Sequence, residues 1–239
     1  RENADLVDIV TIHRYPFPAS QTSPPPTLDE LADDGPRWDA MIADLRRLVI
    51  DTTGRDLPIG ITEFNSNWSK QSGAETTPDS VGSAVWLADV LGRFAVNRVF
   101  LGNQFALQTG PVIGVFGLLE RTSVRPSYYV YPLMARFGSE LVYASVGDDE
   151  GGVHPRVTAY AATRPADGAL TLWVINRGAE PAEFVLSLAG HPGGAADAYR
   201  LDAGRVEAGT VTTPVETVAI EDGMTISAPP LSATLYVIP

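Results

Sequence analysis

The sequence predicts a chain of two parts, an α/β segment built on a parallel sheet and an all-β segment of antiparallel strands. Three observations predict it. Short apolar runs alternate with helical stripes between residues 4 and 139, which is the pattern of strand–helix units joined by right-handed crossovers. Each of those runs ends in polar or aromatic residues. Beyond residue 143 only short β-branched runs separated by turn residues remain, the pattern of an antiparallel β-sandwich. The expected domains are residues 1–142 and 143–239.

The first run, residues 4–12, is rich in Leu, Val and Ile and reads as a buried strand. It leads into His13-Arg14-Tyr15-Pro16-Phe17-Pro18, whose prolines cannot continue a central strand and stop it near Tyr15. A Pro- and Ser-rich loop over residues 18–36 is long enough to be a functional rim. Within it, Thr27-Leu28-Asp29-Glu30 fits a capping box. A helix follows from about Pro36, with Trp38, Met41, Ile42, Leu45, Leu48 and Val49 as its packing stripe and Gly54 as its stop. The second strand starts at Leu57. After a polar loop over residues 69–76, Thr77-Pro78-Asp79 offers a capping hydroxyl, a first-turn proline and an acid suited to the helix dipole. That helix has Val81, Ala84, Val85, Ala88 and Leu91 on its core face. The third strand covers residues 98–101 and runs into Asn103, Gln104 and Phe105; Pro126 opens a third helix to about Phe137. Three such units cannot close a barrel.

The second part begins with a flexible acidic stretch, Gly147-Asp148-Asp149-Glu150-Gly151-Gly152. Strands are expected over residues 157–162, 170–176, 183–188, 198–201, 215–220, 224–226 and 233–238, with turns at Asp167-Gly168, Asn176-Arg177-Gly178 and Asp222-Gly223. Its polar residues are scattered over turns. Trp173 alternates with Leu172 and Val174 and takes a core or rim role.

Composition narrows the function. With 29 acidic and 17 basic residues the formal net charge is −12, which argues against nucleic acid and against an anionic membrane surface. A neutral substrate suits such a surface. There is no cysteine, hence no disulfide and no thiolate metal site. His13, His154 and His191 stand too far apart for ligand spacing such as HExxH, so no metal is expected. Neither a GxGxxG, a GxxxxGK[ST] nor a GxSxG sequence occurs, so no nucleotide cofactor and no Ser-His-Asp hydrolase is indicated. No apolar run reaches the length of a transmembrane helix. The chain opens on Arg1 and enters its first strand almost at once, and so reads as the C-terminal part of something longer.

Leu57-Pro58-Ile59-Gly60-Ile61-Thr62-Glu63-Phe64-Asn65-Ser66-Asn67-Trp68 holds the strongest candidate. In parallel α/β architectures chemistry sits at the carboxyl ends of strands, where the strand fixes a side chain and the loop opens to solvent. Glu63 is where such a residue sits. Alternation along the preceding strand puts His13 and Tyr15 on one face, so the three converge if the two strands are parallel neighbours. The other acids have weaker settings: Asp29 and Glu30 at a helix start, Asp79 and Asp89 within the second helix, Asp148 to Glu150 in a solvated linker.

His13-Arg14-Tyr15 on one strand, followed by Ile61-Thr62-Glu63-Phe64-Asn65 on the next, resembles strands six and seven of clan-A glycoside hydrolases. Trp86-Leu87-Ala88-Asp89-Val90-Leu91-Gly92 adds a likeness to family forty-four, the endoglucanase and xyloglucanase group; arabinofuranosidase and xylosidase families are similar in layout. The resemblance covers nearly the whole chain and implies a partial (β/α)8 TIM barrel, its last three units, followed by a β-sandwich. It implies a retaining hydrolase of O-glycosidic bonds in β-glucan, xyloglucan or arabinoxylan, with Glu63 as nucleophile. His13, Tyr15, Asn65, Asn67, Trp68, Asn103, Gln104 and Phe105 would line the sugar subsites. Tryptophan commonly ends strand eight in the clan; here Phe105 is the aromatic in that region. The clan's acid/base glutamate, on strand four, would lie upstream in a missing N-terminal half, and the fragment alone would be inactive. Extracellular action on plant polysaccharide would fit such a family. The alternative is a non-catalytic carbohydrate-binding or structural protein that keeps the barrel scaffold.

Overall fold

The computed structural model describes residues 3–17, 23–110, 112–147 and 151–239, and the chain divides into two units, Arg1–Arg125 and Pro126–Pro239. The loop position Pro18 and the acidic stretch Asp148-Asp149-Glu150 lie outside the described residues.

In the first unit β1 (Val10–Arg14), β2 (Ile59–Phe64) and β3 (Leu101–Gln104) form a parallel sheet in the order β1-β2-β3. Helices α1 (Leu28–Asp33) and α2 (Gly35–Thr53) connect the first two strands, and α3 (Val81–Val96) the second pair. One face of the sheet packs on the helices through aromatic rings. Phe64 meets Trp38 of α2 and Phe94 of α3 at centroid distances of 5.9 and 5.0 Å, and Trp38 meets Phe94 at 5.1 Å, all edge to face. Gly102 has to be glycine there, since a Cβ would stand 2.9 Å from the Phe94 ring. A short hairpin, β4 (Leu119–Glu120) with β5 (Ser123–Val124), ends the unit.

The capping box forms as read: Thr27 accepts from the Glu30 N–H while Glu30 reaches back to the Thr27 N–H. Gly54 closes α2 in the left-handed conformation, φ 72°. Three boundaries move. Residues 4–9 are not strand; Ala4–Leu6 is a 3₁₀ turn closed by the Leu6 N–H on the Asn3 carbonyl, and Leu6 is 74% exposed. α3 begins at Val81 because Ser80 caps it, accepting from the Ser83 N–H, while the Thr77 hydroxyl turns back to the Ala74 carbonyl; Asp79 thus precedes the helix. Every residue from Gly82 to Phe94 is buried, so α3 is a central helix rather than an amphipathic one. β3 starts at Leu101, not at residue 98, since Arg98 has φ 53° and cannot lie in a strand. On α2, Leu48 is exposed despite its place in the apolar stripe.

The second unit starts with a 3₁₀ turn, Pro126–Tyr129, and α4 (Val130–Met134), in place of one helix to Phe137. β6 (Glu140–Val142) was not expected; it pairs antiparallel with β7 (Val157–Thr163). With Gly138 donating to the Thr171 hydroxyl, this knits the segment after Pro126 into the second unit and moves the division from residue 142. All seven expected strands form: β7, β8 (Leu170–Asn176), β9 (Ala182–Val185), β10 (Gly194–Leu201), β11 (Glu216–Ile220), β12 (Thr225–Ala228) and β13 (Ser232–Ile238). A short α5 (Ala203–Glu207) follows β10. The sheet order is β11-β10-β13-β8-β7-β6, and β9 pairs with β12. Both sheets contribute to one core that includes Leu172, Val174, Ala198 and Tyr236 with Ile226 and Ala228. Trp173, on the other face of β8, is fully buried near the Phe137 ring: it is a core residue. Among the described residues no helix is long and apolar enough to cross a membrane.

Candidate active site

The site lies at the carboxyl ends of the three parallel strands, and the phase of β2 decides what it contains. Ile61 pairs with Gly102, whose missing Cβ faces Phe94, while a Cβ on Gly60 would meet Thr11 and Leu101 side chains. So Ile61 faces the helices and Gly60 the opposite side. Strict alternation would then turn Thr62 to the open face and Glu63 toward the helices. Instead the register shifts: Ile12 pairs with Ile61 but His13 with Glu63, and β3 shows the same shift between Ile61 and Phe64. β2 carries one extra residue, a β-bulge at Thr62. It brings Glu63 to the open face beside His13 while Phe64 returns to the helices.

The Glu63 carboxylate is held at both oxygens. The Tyr15 hydroxyl donates to Oε1 at 2.5 Å, and His13 Nδ1 stands 3.2 Å from Oε2. The side chain of Glu63 keeps 31% of its surface, that of His13 58%. Burial, the hydrogen bond to Glu63 and the carboxylate charge, in that order, push the Tyr15 phenol well above its ordinary value, so it serves as a hydrogen donor. Trp68 meets Tyr15 edge to face at 4.9 Å and keeps 47% of its surface. His13, expected to line a sugar subsite, contacts Glu63 directly.

The two asparagines after Glu63 do other work. Asn65 is 3% exposed; its amide donates to the Phe105 and Phe116 carbonyls at 2.8 and 2.9 Å, and its oxygen accepts from the Ser66 N–H. Asn67 is buried and accepts from the Ser69 N–H, an Asx turn. Both are committed to protein, which corrects their assignment to a subsite. Asn103 is exposed and follows Gly102 in alternation onto the face of Glu63. Gln104 pairs with Phe64 and so falls on the helix side of β3 by register. Phe105 stacks on Phe116 at 5.4 Å and keeps 40% of its surface.

The surrounding loops are tied together. The Val115 N–H donates to the Ser69 carbonyl, the Thr76 hydroxyl to the Pro26 carbonyl, and the Gln71 amide to the Ser23 carbonyl. The buried Arg125 guanidinium gathers the loop after β3 through Thr109, the Gly117 carbonyl and Glu120. The described residues contain no group of three or more His, Cys, Asp or Glu placed to hold a metal ion.

One set of residues escaped the reading of the sequence. Arg14, between His13 and Tyr15, points away from them and forms a two-pronged ion pair with Asp34, whose side chain is fully buried. Asp34 Oδ2 also accepts from the indole N–H groups of Trp38 and Trp86, each at 2.9 Å. The Arg14 guanidinium lies 4.1 Å from the Trp38 ring centroid. Alternation was the available signal: with His13 and Tyr15 on the open face, Arg14 has to meet the helices and find an acid there.

No protein-family model and no curated protein sequence matches the chain. Solved structures do. A bifunctional glucanase-xylanase from a metagenome library aligns at TM-score 0.72 with 20% identity, over 100% of this chain and 45% of the other. An α-L-arabinofuranosidase from Thermotoga maritima aligns at TM-score 0.71 with 16% identity, over 98% and 53%. A family 44 xyloglucanase from Paenibacillus polymyxa aligns at TM-score 0.68 with 17% identity, over 98% and 47%. The chain shares its fold with glycoside hydrolases and spans about half the length of those it matches.

Proposed function

We propose that this chain belongs to a retaining glycoside hydrolase, with Glu63 as its nucleophile. The observation that carries the reading is the Glu63 carboxylate, aimed by a bulge to the open face of a parallel sheet and held there by Tyr15 and His13. The three strands correspond to the last units of a (β/α)8 barrel and the second unit to a trailing β-sandwich. The half-length alignments support this.

Retaining hydrolysis needs two carboxyl groups about 5–5.5 Å apart. Glu63 attacks the anomeric carbon as the glycosidic C–O bond breaks, and the second carboxyl protonates the departing oxygen. Water then cleaves the glycosyl ester with that second group as base. The second carboxyl comes from polypeptide outside these three strands. Tyr15 directs one Glu63 oxygen and His13 the other, so the carboxylate needs little reorganisation to react. Trp68 offers an apolar face to a sugar ring, Asn103 a polar contact, and Phe105 on Phe116 takes the place of the clan's strand-eight tryptophan. The substrates are neutral β-glucan, xyloglucan or arabinoxylan chains, in keeping with the acidic surface. The family forty-four likeness favours glucan or xyloglucan within that set.

The test uses the full-length protein. Glu63→Gly abolishes hydrolysis of an activated aryl glycoside, and azide restores turnover by giving a glycosyl azide. Near-normal activity in that variant sinks the assignment. The 239-residue chain alone shows no turnover on the same substrates.

A further inference from the structure

The Arg14–Asp34 pair sits in an unusual place: a charge pair within the aromatic layer between sheet and helices, directly behind His13 and Tyr15. Stability does not account for it. Desolvating two ions offsets most of their attraction, and a well-packed apolar pair in such a setting is often as stable or more so. What an apolar pair cannot do is fix an angle. A bidentate guanidinium–carboxylate contact defines the orientation of both groups, and here the carboxylate is further fixed by two indole N–H groups, with the guanidinium stacked on Trp38. Asp34 also precedes α2 and is its N-terminal flanking residue. The pair therefore joins the start of α2 to the last residue of β1.

We propose that Arg14 and Asp34 are positioning residues of the site, fixing the end of β1 so that Tyr15 and His13 bracket Glu63. The inference rests on the reading of Glu63, Tyr15 and His13 given above. Arg14 pairs with Phe64 one step beyond the His13–Glu63 pair, so its anchorage sets the twist of the strand between the two site side chains. Loss of the clamp leaves the strand paired but frees Tyr15 to leave the carboxylate.

The test follows the Tyr15 phenol in the full 239-residue chain, by carbon-13 NMR of tyrosines labelled at Cζ, with Tyr15→Phe for assignment. In the unaltered chain Tyr15 stays protonated through the alkaline range in which the fold persists. Glu63→Gln lets it ionise at lower pH. The expected result is that R14M/D34N does the same while circular dichroism and the tryptophan spectrum report an intact fold. Should R14M/D34N not fold, R14K decides by the same readout, because lysine keeps the charge and loses the two-pronged contact. If the folded clamp variants titrate Tyr15 as the unaltered chain does while Glu63→Gln lowers it, the pair is only structural and the proposal falls, with the reading of Glu63 untouched. If Glu63→Gln itself leaves Tyr15 unmoved, the Tyr15–Glu63 contact is absent and both readings fall.

Discussion

Asp34→Ala makes the sharpest prediction about the first unit. The side chain is fully buried and accepts from both prongs of Arg14 and from two indoles. Its removal strands a guanidinium whose side chain keeps only 15% of its surface. Breaking a buried pair by deleting one partner costs about 3–5 kcal/mol. Two orphaned indole N–H groups add about 1–3 kcal/mol each, less whatever relaxation returns. The sum, about 5–11 kcal/mol before relaxation, is comparable with the whole stability of a domain, about 5–15 kcal/mol. Asp34→Ala is therefore expected to abolish cooperative folding of the first unit. R14M/D34N should cost only about 1–3 kcal/mol, because it removes both charges and leaves an amide oxygen in place of the carboxylate to accept from the indoles. The assay is urea unfolding monitored by tryptophan emission in a Trp173→Phe background, in which the remaining indoles, Trp38, Trp68 and Trp86, all belong to the first unit. A double-mutant cycle with Arg14→Met gives the coupling. A loss below about 1 kcal/mol for Asp34→Ala would refute the reasoning.

Tyr15→Phe deletes a hydrogen bond to a carboxylate, worth about 1.5–3 kcal/mol when fully effective; partial exposure of Glu63 puts it at the low end, so kcat/KM of the full-length protein should fall about tenfold. Asn65→Ala leaves the Phe105 and Phe116 carbonyls without their shared donor; limited proteolysis should shift to residues 105–118 while the second unit stays resistant. Burial raises the Tyr131 phenol from 10.0 to about 12. The folded state thus holds a proton that the unfolded state releases, so this contribution to stability is intact below pH 10.0 and is lost as pH rises through about 12. Tyr131→Phe should flatten the alkaline fall in the urea midpoint of the second unit, read from Trp173 emission.

What the sequence disclosed divides by the range of the interaction. The Thr27–Glu30 capping box and the Gly54 stop are made within one turn, and they form where the residues stand. The seven later strands follow from alternation and turn glycines. The start of α3 was misplaced because Thr77 and Ser80 are equally good caps locally, and the choice depends on which segment packs. That Glu63, His13 and Tyr15 come together was legible from the strand ends. Asn65 and Asn67 were not, because an amide that binds sugar and one that ties a loop are the same residue type. Asn67 accepts from the backbone two residues on, the spacing of an Asx turn, whereas Asn65 accepts from the next residue and ties down carbonyls far along the chain.

The bulge is the feature that no single strand could reveal, and it makes a counterintuitive prediction. Ile61 and Phe64 both face the helices, three residues apart, which a period of two forbids. One residue between them must be surplus. Deletion of Thr62 would then restore plain alternation with Ile61 toward the helices, Glu63 toward the open face and Phe64 toward the helices again. A deletion inside a central strand beside a catalytic candidate should thus be tolerated, with the Tyr15 phenol still held by Glu63, although the loop beyond Phe64 is drawn in by about 3.3 Å. Deletion of Gly60 instead turns the fully buried Ile59, which opens β2, to the wrong face and should unfold the unit. Carbon-13 titration of Tyr15 and tryptophan emission separate the outcomes. If deletion of Thr62 releases Tyr15 or unfolds the first unit as Gly60 deletion does, the surplus residue is not Thr62, and the geometric account of how Glu63 is aimed is wrong.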